Sequence, residues 1–406
     1  MPSTFGWVDF AEQDRQRMAD VIHLLREQDT RDELGLGSVR DAFANLLFPG
    51  TSTVQTRAKY MLFVPWIYLR HEKRQTPSKD IASKARSDEL DLIEALLDSG
   101  DTEGVIGKDA RRKLQRLPSS IYWSGLGTWG IRLFNGSRAQ YHRYLDVFYR
   151  RRKQQYRQLK YEGEHAVIRT AENWDPGRPD PPDGFPRRAT LTLTKEEAEY
   201  LHDRIVTNCG QSLLAFLVDR AAPTEVPFVW MHPELAQFPQ RLRLQVEHAR
   251  KFSEVMHGAA LLYNLMLGEK SGREDEVTKY RDKLVEWSEN IRSRKAALTR
   301  WDRRDFWETV VSEGARIPLR TRRFVDRWIN LVLESEDVAA LSTDEMARSL
   351  IYDREVALKQ NRARLQNQRA LELWSGAAGA GQLDYRWSAV VNRIVNDILL
   401  GMENDA

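Results

Sequence analysis

A chain of 406 residues with 62 Lys and Arg against 59 Asp and Glu, and a mean hydropathy of -0.58, is long enough for two domains with sizeable cores and is composed like a water-soluble protein. Its formal net charge of +3 is too small to draw nucleic acid to the whole surface, so such a role has to rest on local clusters. Cys209 stands alone, which excludes a disulfide framework and a cysteine-based zinc site and fits a reducing cytoplasm.

In chain order, residues 1–16 turn acidic and polar after Trp7, unlike a secretory signal. Met18, Val21, Ile22 and Leu25 share one face of an expected helix over 11–28, with Asp9 and Glu12 spaced as its cap. Residues 34–70 form the most tightly specified stretch. Val39, Ala42, Phe43, Leu46 and Leu47 make an apolar stripe, with Ser38 and Asp41 as a cap pair, and Phe48-Pro49-Gly50 supplies the stop. A second helix is expected from 51–53, kinked or ended at Pro65, with Met61 to Leu69 surrounded on all sides and Gln55, Arg57 and Lys59 left exposed. A loop over 70–84, an acidic helix over 87–97 and a basic helix over 108–117 follow.

Gly125, Gly127 and Gly130 match the spacing of a dinucleotide fingerprint, but the motif needs a strand before the glycines and a helix after them. Ile131 to Phe134 reads as a strand instead, so a glycine-permitted loop packed with Tyr122, Trp123 and Trp129 is the better reading. The helix over 140–160 carries Arg143, Arg150, Arg151, Arg152, Lys153, Arg157 and Lys160 among Tyr141, Tyr144, Tyr149 and Tyr156, a pattern that suits phosphate contacts with base stacking or a solvated face with its tyrosines inward.

The Pro-, Gly- and Asp-rich stretch 173–189 is a linker or a long surface loop. It divides the chain into an N-terminal helical domain, 1–172, and a C-terminal one, 190–406. The second half reads as a strand over 190–193, a helix capped by Thr194 and Glu197, and helices over 212–220, 241–267, 274–294, 303–312, 321–333, 343–373 and 385–400, with a proline-punctuated connection around Trp230. The longest apolar run, 258–268, is too short for a bilayer. The fold class is mainly α: two helical domains with a few short strands. The twelve tryptophans are expected as core anchors, a few of them as stacking surfaces.

For chemistry, the eight histidines show no paired ligand spacing, so neither a metal nor a cofactor is expected. Serine-elbow, Walker and kinase motifs are absent, and His71-Glu72-Lys73 lacks the aspartate of a phospholipase-D motif. Arg243 and His248 resemble the arginine and histidine pair of HEPN-type ribonucleases, although Leu244 stands where that family has a polar residue. Arg354, Lys359, Arg362, Arg364 and Arg369, among amide side chains, form an almost acid-free stretch suited to phosphates and base edges. Arg320, Arg322, Arg323 and Arg327, and Arg303 with Arg304, add two smaller cationic spots.

The runs at 5–10, 32–68, 118–132, 258–267 and 383–387 give most of the chain a resemblance to a bacterial family of unknown function. The resemblance implies an association with anti-phage defence clusters that also encode helicases and nucleases, and it supplies no catalytic residues. The expectation is a cytoplasmic, non-catalytic DNA- or RNA-binding subunit without membrane contact. Its contacts would be Arg150, Arg151, Arg152, Lys153, Arg157, Lys160, Gln55, Arg57, Lys59, Arg354, Lys359, Arg362 and Arg364. A ribonuclease using Arg243 and His248, and a protein adaptor with Trp-rich contact faces, remain as alternatives.

Overall fold

The computed structural model describes residues 32–155 and 172–404 in full and the helical backbone of 156–162. The helix expected over 11–28 lies outside the described residues. The chain forms two compact units, both discontinuous in sequence. One combines the segment up to Ala42 with Glu247–Leu383, and the other combines Phe43–Val246 with Asp384–Ala406. They are called here units 1 and 2.

Helices account for the architecture of both. In chain order they are α1 (Gly37–Leu47), α2 (Tyr60–Lys73), α3 (Ile81–Asp98), α4 (Pro118–Thr128), α5 (Arg138–Glu162), α6 (Lys195–Cys209), α7 (Leu213–Arg220) and α8 (Gln240–Ser271). They continue as α9 (Glu274–Thr299), α10 (Arg303–Val311), α11 (Leu319–Glu334), α12 (Glu345–Lys359), α13 (Gln368–Glu372) and α14 (Asn392–Glu403). Among the described residues the β-structure is one isolated antiparallel bridge, Arg132 to Trp174.

The expected strands over 131–134 and 190–193 therefore do not form. At 131–134 the backbone pairs with Asn173 and Asp175 around that isolated bridge, and at 190–193 side chains occupy backbone groups that a neighbouring strand would have used. Lys59 donates to Thr192 O at 2.7 Å and Asn404 to Leu193 O at 3.0 Å, while Leu191 and Leu193 are buried.

Unit 2 is organised around α2. Eleven of its fourteen residues are buried, so the apolar run does sit inside other elements. Pro65 lies within the helix and does not end it. The start differs from expectation: the helix begins at Tyr60, and 51–59 is a turn held by side chains. Gln55 bridges Ser52 N at 3.1 Å and Gly50 O at 3.1 Å. The buried Tyr122 hydroxyl accepts from Thr56 N at 2.8 Å and donates to Arg57 O at 2.9 Å. Helix α2 continues to Lys73 and α3 starts at Ile81, so the loop expected over 70–84 shrinks to a few residues. The basic helix expected over 108–117 is reduced to one 3-10 turn, Arg111–Lys113. Arg111 and Arg112 instead pair with Glu94 and Asp91 of α3.

Capping chemistry fixes the later helices where the sequence placed it. Thr194 and Glu197 form a complete capping box at α6, and Ser212, Asp302 and Asp344 cap α7, α10 and α12. At α1 the expected cap pair is not used; Asp32 accepts from Leu36 N at 2.6 Å and Gly37 N at 2.8 Å. Helix α14 packs on α6 in unit 2, and in unit 1 α11 packs on α12 and α9. The helix expected over 343–373 breaks after Lys359, because the carboxylate of Glu355 draws the chain back by accepting from Arg364 N and Leu365 N, both at 2.9 Å. Gln360 takes a φ of 49° at that break.

Trp7 lies outside the described residues. All the other tryptophans are buried, so they anchor the core, and none of those described offers a stacking or docking surface.

Candidate nucleic-acid interface

Cations that are rich in sequence are not all available to a ligand. Gln55 and Lys59 are buried, and Lys59 pairs with Glu197 at 2.8 Å. Arg57 grips both oxygens of Asp397 at 3.0 Å and also donates to Glu103 O at 3.0 Å. These three side chains were expected at the surface. Gln55 turns inward because it supplies hydrogen bonds that the turn before α2 cannot make for itself, while Lys59 and Arg57 are drawn in by Glu197 and Asp397.

The C-terminal cations of unit 1 are tied up in a similar way. Arg354 is buried and donates to Leu34 O at 2.8 Å, Gly35 O at 3.1 Å and Thr321 Oγ1 at 2.9 Å. Burial draws its guanidinium down to about 10, so it stays charged at neutral pH. Lys359 pairs with Glu33 and Glu355, and Arg364 pairs with Glu33 at 2.8 Å. Glu355 is fully buried, and its remaining acceptor sites take Tyr263 OH and the backbone of Arg364 and Leu365. This is an internal charge network. Of the residues expected in the stretch, Arg362 and Arg369 are exposed.

Two cationic surfaces remain. On α5, Arg150, Arg151, Arg152 and Lys153 are exposed. Arg151 lies over the Tyr144 ring at 5.7 Å and donates to its hydroxyl at 3.0 Å. Tyr141 is buried and cannot stack on a base. The side chains of Arg157 and Lys160 lie outside the described residues.

The second surface is on α11. Arg320, Arg323 and Arg327 are exposed, recur on one face, and form no ion pair among the described residues. Arg322, between them, leans on Asp326 and Trp307 instead. The three arginines line a groove of ≈480 Å³ with Phe324, Leu350 and Ala357, and Asp353 is its carboxylate. At ~1.5 Å of rise per residue the ladder spans about 10 Å, roughly three phosphate steps of one duplex strand.

The ribonuclease pair does not assemble on α8. His248 is buried; its Nδ1 accepts from Trp301 Nε1 at 2.9 Å, so its Nε2 carries the proton and donates to Asp305 at 2.9 Å. With both ring nitrogens bonded, the imidazole has no nitrogen left for a substrate. Arg243 is exposed and, five residues away, points roughly 140° around the helix. The glycines of the fingerprint fall in and just after α4, not between a strand and a helix. Gly125 is there because a Cβ would meet Gly50 O at 2.3 Å. Among the described residues no cluster of three or more His, Cys, Asp or Glu could hold a metal, and no helix is long and apolar enough to cross a membrane.

A family model matches residues 2–399. The chain belongs to DUF6361, a family of unknown function. Neither the curated proteins nor the solved structures contain a match to it.

One group escaped sequence reasoning altogether: the buried carboxyl of Glu72, which shares a cavity with Lys73, Arg152 and Arg178. Its partners come from α5 and the Pro-rich stretch, so no local spacing announces it.

Proposed function

We propose that this protein is a non-catalytic, nucleic-acid-binding subunit that holds a phosphate backbone on the α11 arginine ladder, with the exposed cations of α5 as a further contact surface. The observation that carries the reading is that Arg320, Arg323 and Arg327 have no carboxylate partner among the described residues, in a chain where many of the other arginines are paired. Three like charges within about 10 Å of helix repel one another, and an anion that neutralises them releases condensed counterions as well. The apolar side of the groove suits sugar and base edges more than bulk water.

A place in an anti-phage defence complex, beside helicase or nuclease subunits, belongs to the same proposal and is supported by the family resemblance alone. Co-purification of such subunits with the tagged full chain tests that part.

Fluorescence anisotropy with labelled DNA and RNA across a salt series tests the binding. The expected result is a straight fall of log K with log salt, with a slope of about -3 or steeper. No binding to either nucleic acid at low salt, or binding without a salt slope, contradicts the reading.

A further inference from the structure

Glu72 of α2 lines a cavity of ≈120 Å³ in unit 2. Three donors from separate parts of the chain converge on its Oε1: Tyr141 OH, Asn173 Nδ2 at 3.0 Å and Trp174 Nε1 at 3.1 Å. Its Oε2 accepts from no described residue. A carboxylate offers about four acceptor sites, so this one is held rigidly by one oxygen with the other unused, although the residue is only 6% exposed. Burial raises its pKa, and the three hydrogen bonds and the charge of Arg152 oppose that rise.

The same cavity is lined by Lys73, Arg152 and Arg178. None of them forms an ion pair with a described carboxylate, and Lys73 and Arg152 are exposed. Glu172, also exposed, is the second carboxylate of the lining. Phe148 and Trp174 add apolar wall. A second cavity of ≈350 Å³ borders it through Leu69, Lys73 and Arg178 and adds Trp66 and Phe185. The combination has three parts: cations without an ion pair to a described carboxylate, the half-buried ring of Phe185, and an immobile acceptor. An inorganic anion needs only the first, and an apolar ligand only the second.

We propose that these cavities bind a nucleoside monophosphate whose base carries an amino group, with the phosphomonoester on Lys73, Arg152 and Arg178 and the amino N–H donating to Oε2 of Glu72. Carboxylates read exocyclic amino groups in this way, and the half-buried ring of Phe185 takes the base face. The ligand can be a free nucleotide or the phosphorylated terminus of a strand. Both offer the same phosphomonoester, and the site lies within unit 2, independent of the α11 ladder.

Calorimetric titration of the full chain with GMP, CMP and AMP, beside guanosine and inorganic phosphate, tests this. At least one nucleotide should bind tenfold or more tightly than guanosine and than phosphate. Lys73→Glu combined with Arg178→Glu should abolish that binding while leaving the melting temperature and the duplex affinity of the α11 ladder in place. Glu72→Gln should cost about tenfold in nucleotide affinity and leave the weak binding of phosphate unchanged. An oligonucleotide with and without a 5′-phosphate identifies the source: a difference that vanishes in the charge-reversed variant assigns the strand end, and its absence assigns the free nucleotide. If none of the three nucleotides binds, if they bind no better than phosphate, or if the charge-reversed variant binds as before, the proposal is overturned. Loss of the α11 ladder leaves the titration unchanged, so this proposal and the nucleic-acid reading fail separately.

Discussion

Two arginine-rich stretches of unit 1 look alike in sequence and differ in the folded chain. Between 354 and 364, Arg354, Lys359 and Arg364 are consumed by Glu33, Glu355 and backbone carbonyls. Between 320 and 327, Arg320, Arg323 and Arg327 have no such partners among the described residues. Cations opposite a buried carboxylate stabilise the fold, because the fold cannot tolerate either charge alone. Cations without a carboxylate partner among the described residues can take an anion, even with Asp353 in the same groove. The count of charges does not separate the two cases, and the position of Glu355 does.

That contrast can be broken from the structural side first, where the effects are largest. Glu355→Ala leaves Tyr263 and two backbone N–H groups without their acceptor and takes one of the two carboxylates from Lys359. It should cost about 4 kcal/mol in urea unfolding. A loss below about 1 kcal/mol would mean that the network is dispensable. Arg354→Met removes the donor to Leu34 O, Gly35 O and Thr321 Oγ1. About 3 kcal/mol is expected by the same measurement, since three buried acceptors lose their partner.

A smaller effect comes from pH. Burial pushes Glu89 of α3 up to about 6 from its ordinary 4.5, against the hydrogen bonds from Ser119. The folded chain thus holds this proton more tightly than the unfolded one. Its contribution to stability is complete below pH 4.5 and is lost as pH rises through 6. The loss is about 2 kcal/mol. Glu89→Gln should flatten the unfolding free energy between those two pH values, and an unchanged pH profile would contradict the assignment.

Local chemistry in the sequence carried much of the helical fold. The capping pair Thr194 and Glu197 placed α6, and the apolar run after Met61 marked the buried α2. What failed had partners distant in sequence. Arg57 and Lys59 sit in a polar pattern that reads as an exposed helix face, but Asp397 and Glu197, their partners, lie far along the chain, as does the Tyr122 hydroxyl that holds the turn backbone. The break after Lys359 is set by Glu355 accepting from residues nine and ten positions ahead, which no periodicity shows. His248 was singled out for its distance from Arg243, while its role was decided by Trp301 and Asp305. Of the candidate interface, the α11 arginines were visible in the sequence as a minor cationic spot. Their freedom was not visible, because it depends on which carboxylates come near.

Replacing Arg320, Arg323 and Arg327 together by alanine should barely change stability, by less than about 0.5 kcal/mol, since the side chains are exposed and unpaired. Its effect on binding shows directly whether the ladder holds the phosphate backbone. In the salt series the slope of log K for duplex DNA should become shallower by about 2 to 3, close to 0.9 for each phosphate contact removed. A triple variant that binds with the affinity and salt slope of the unaltered chain would show that the ladder is not the interface.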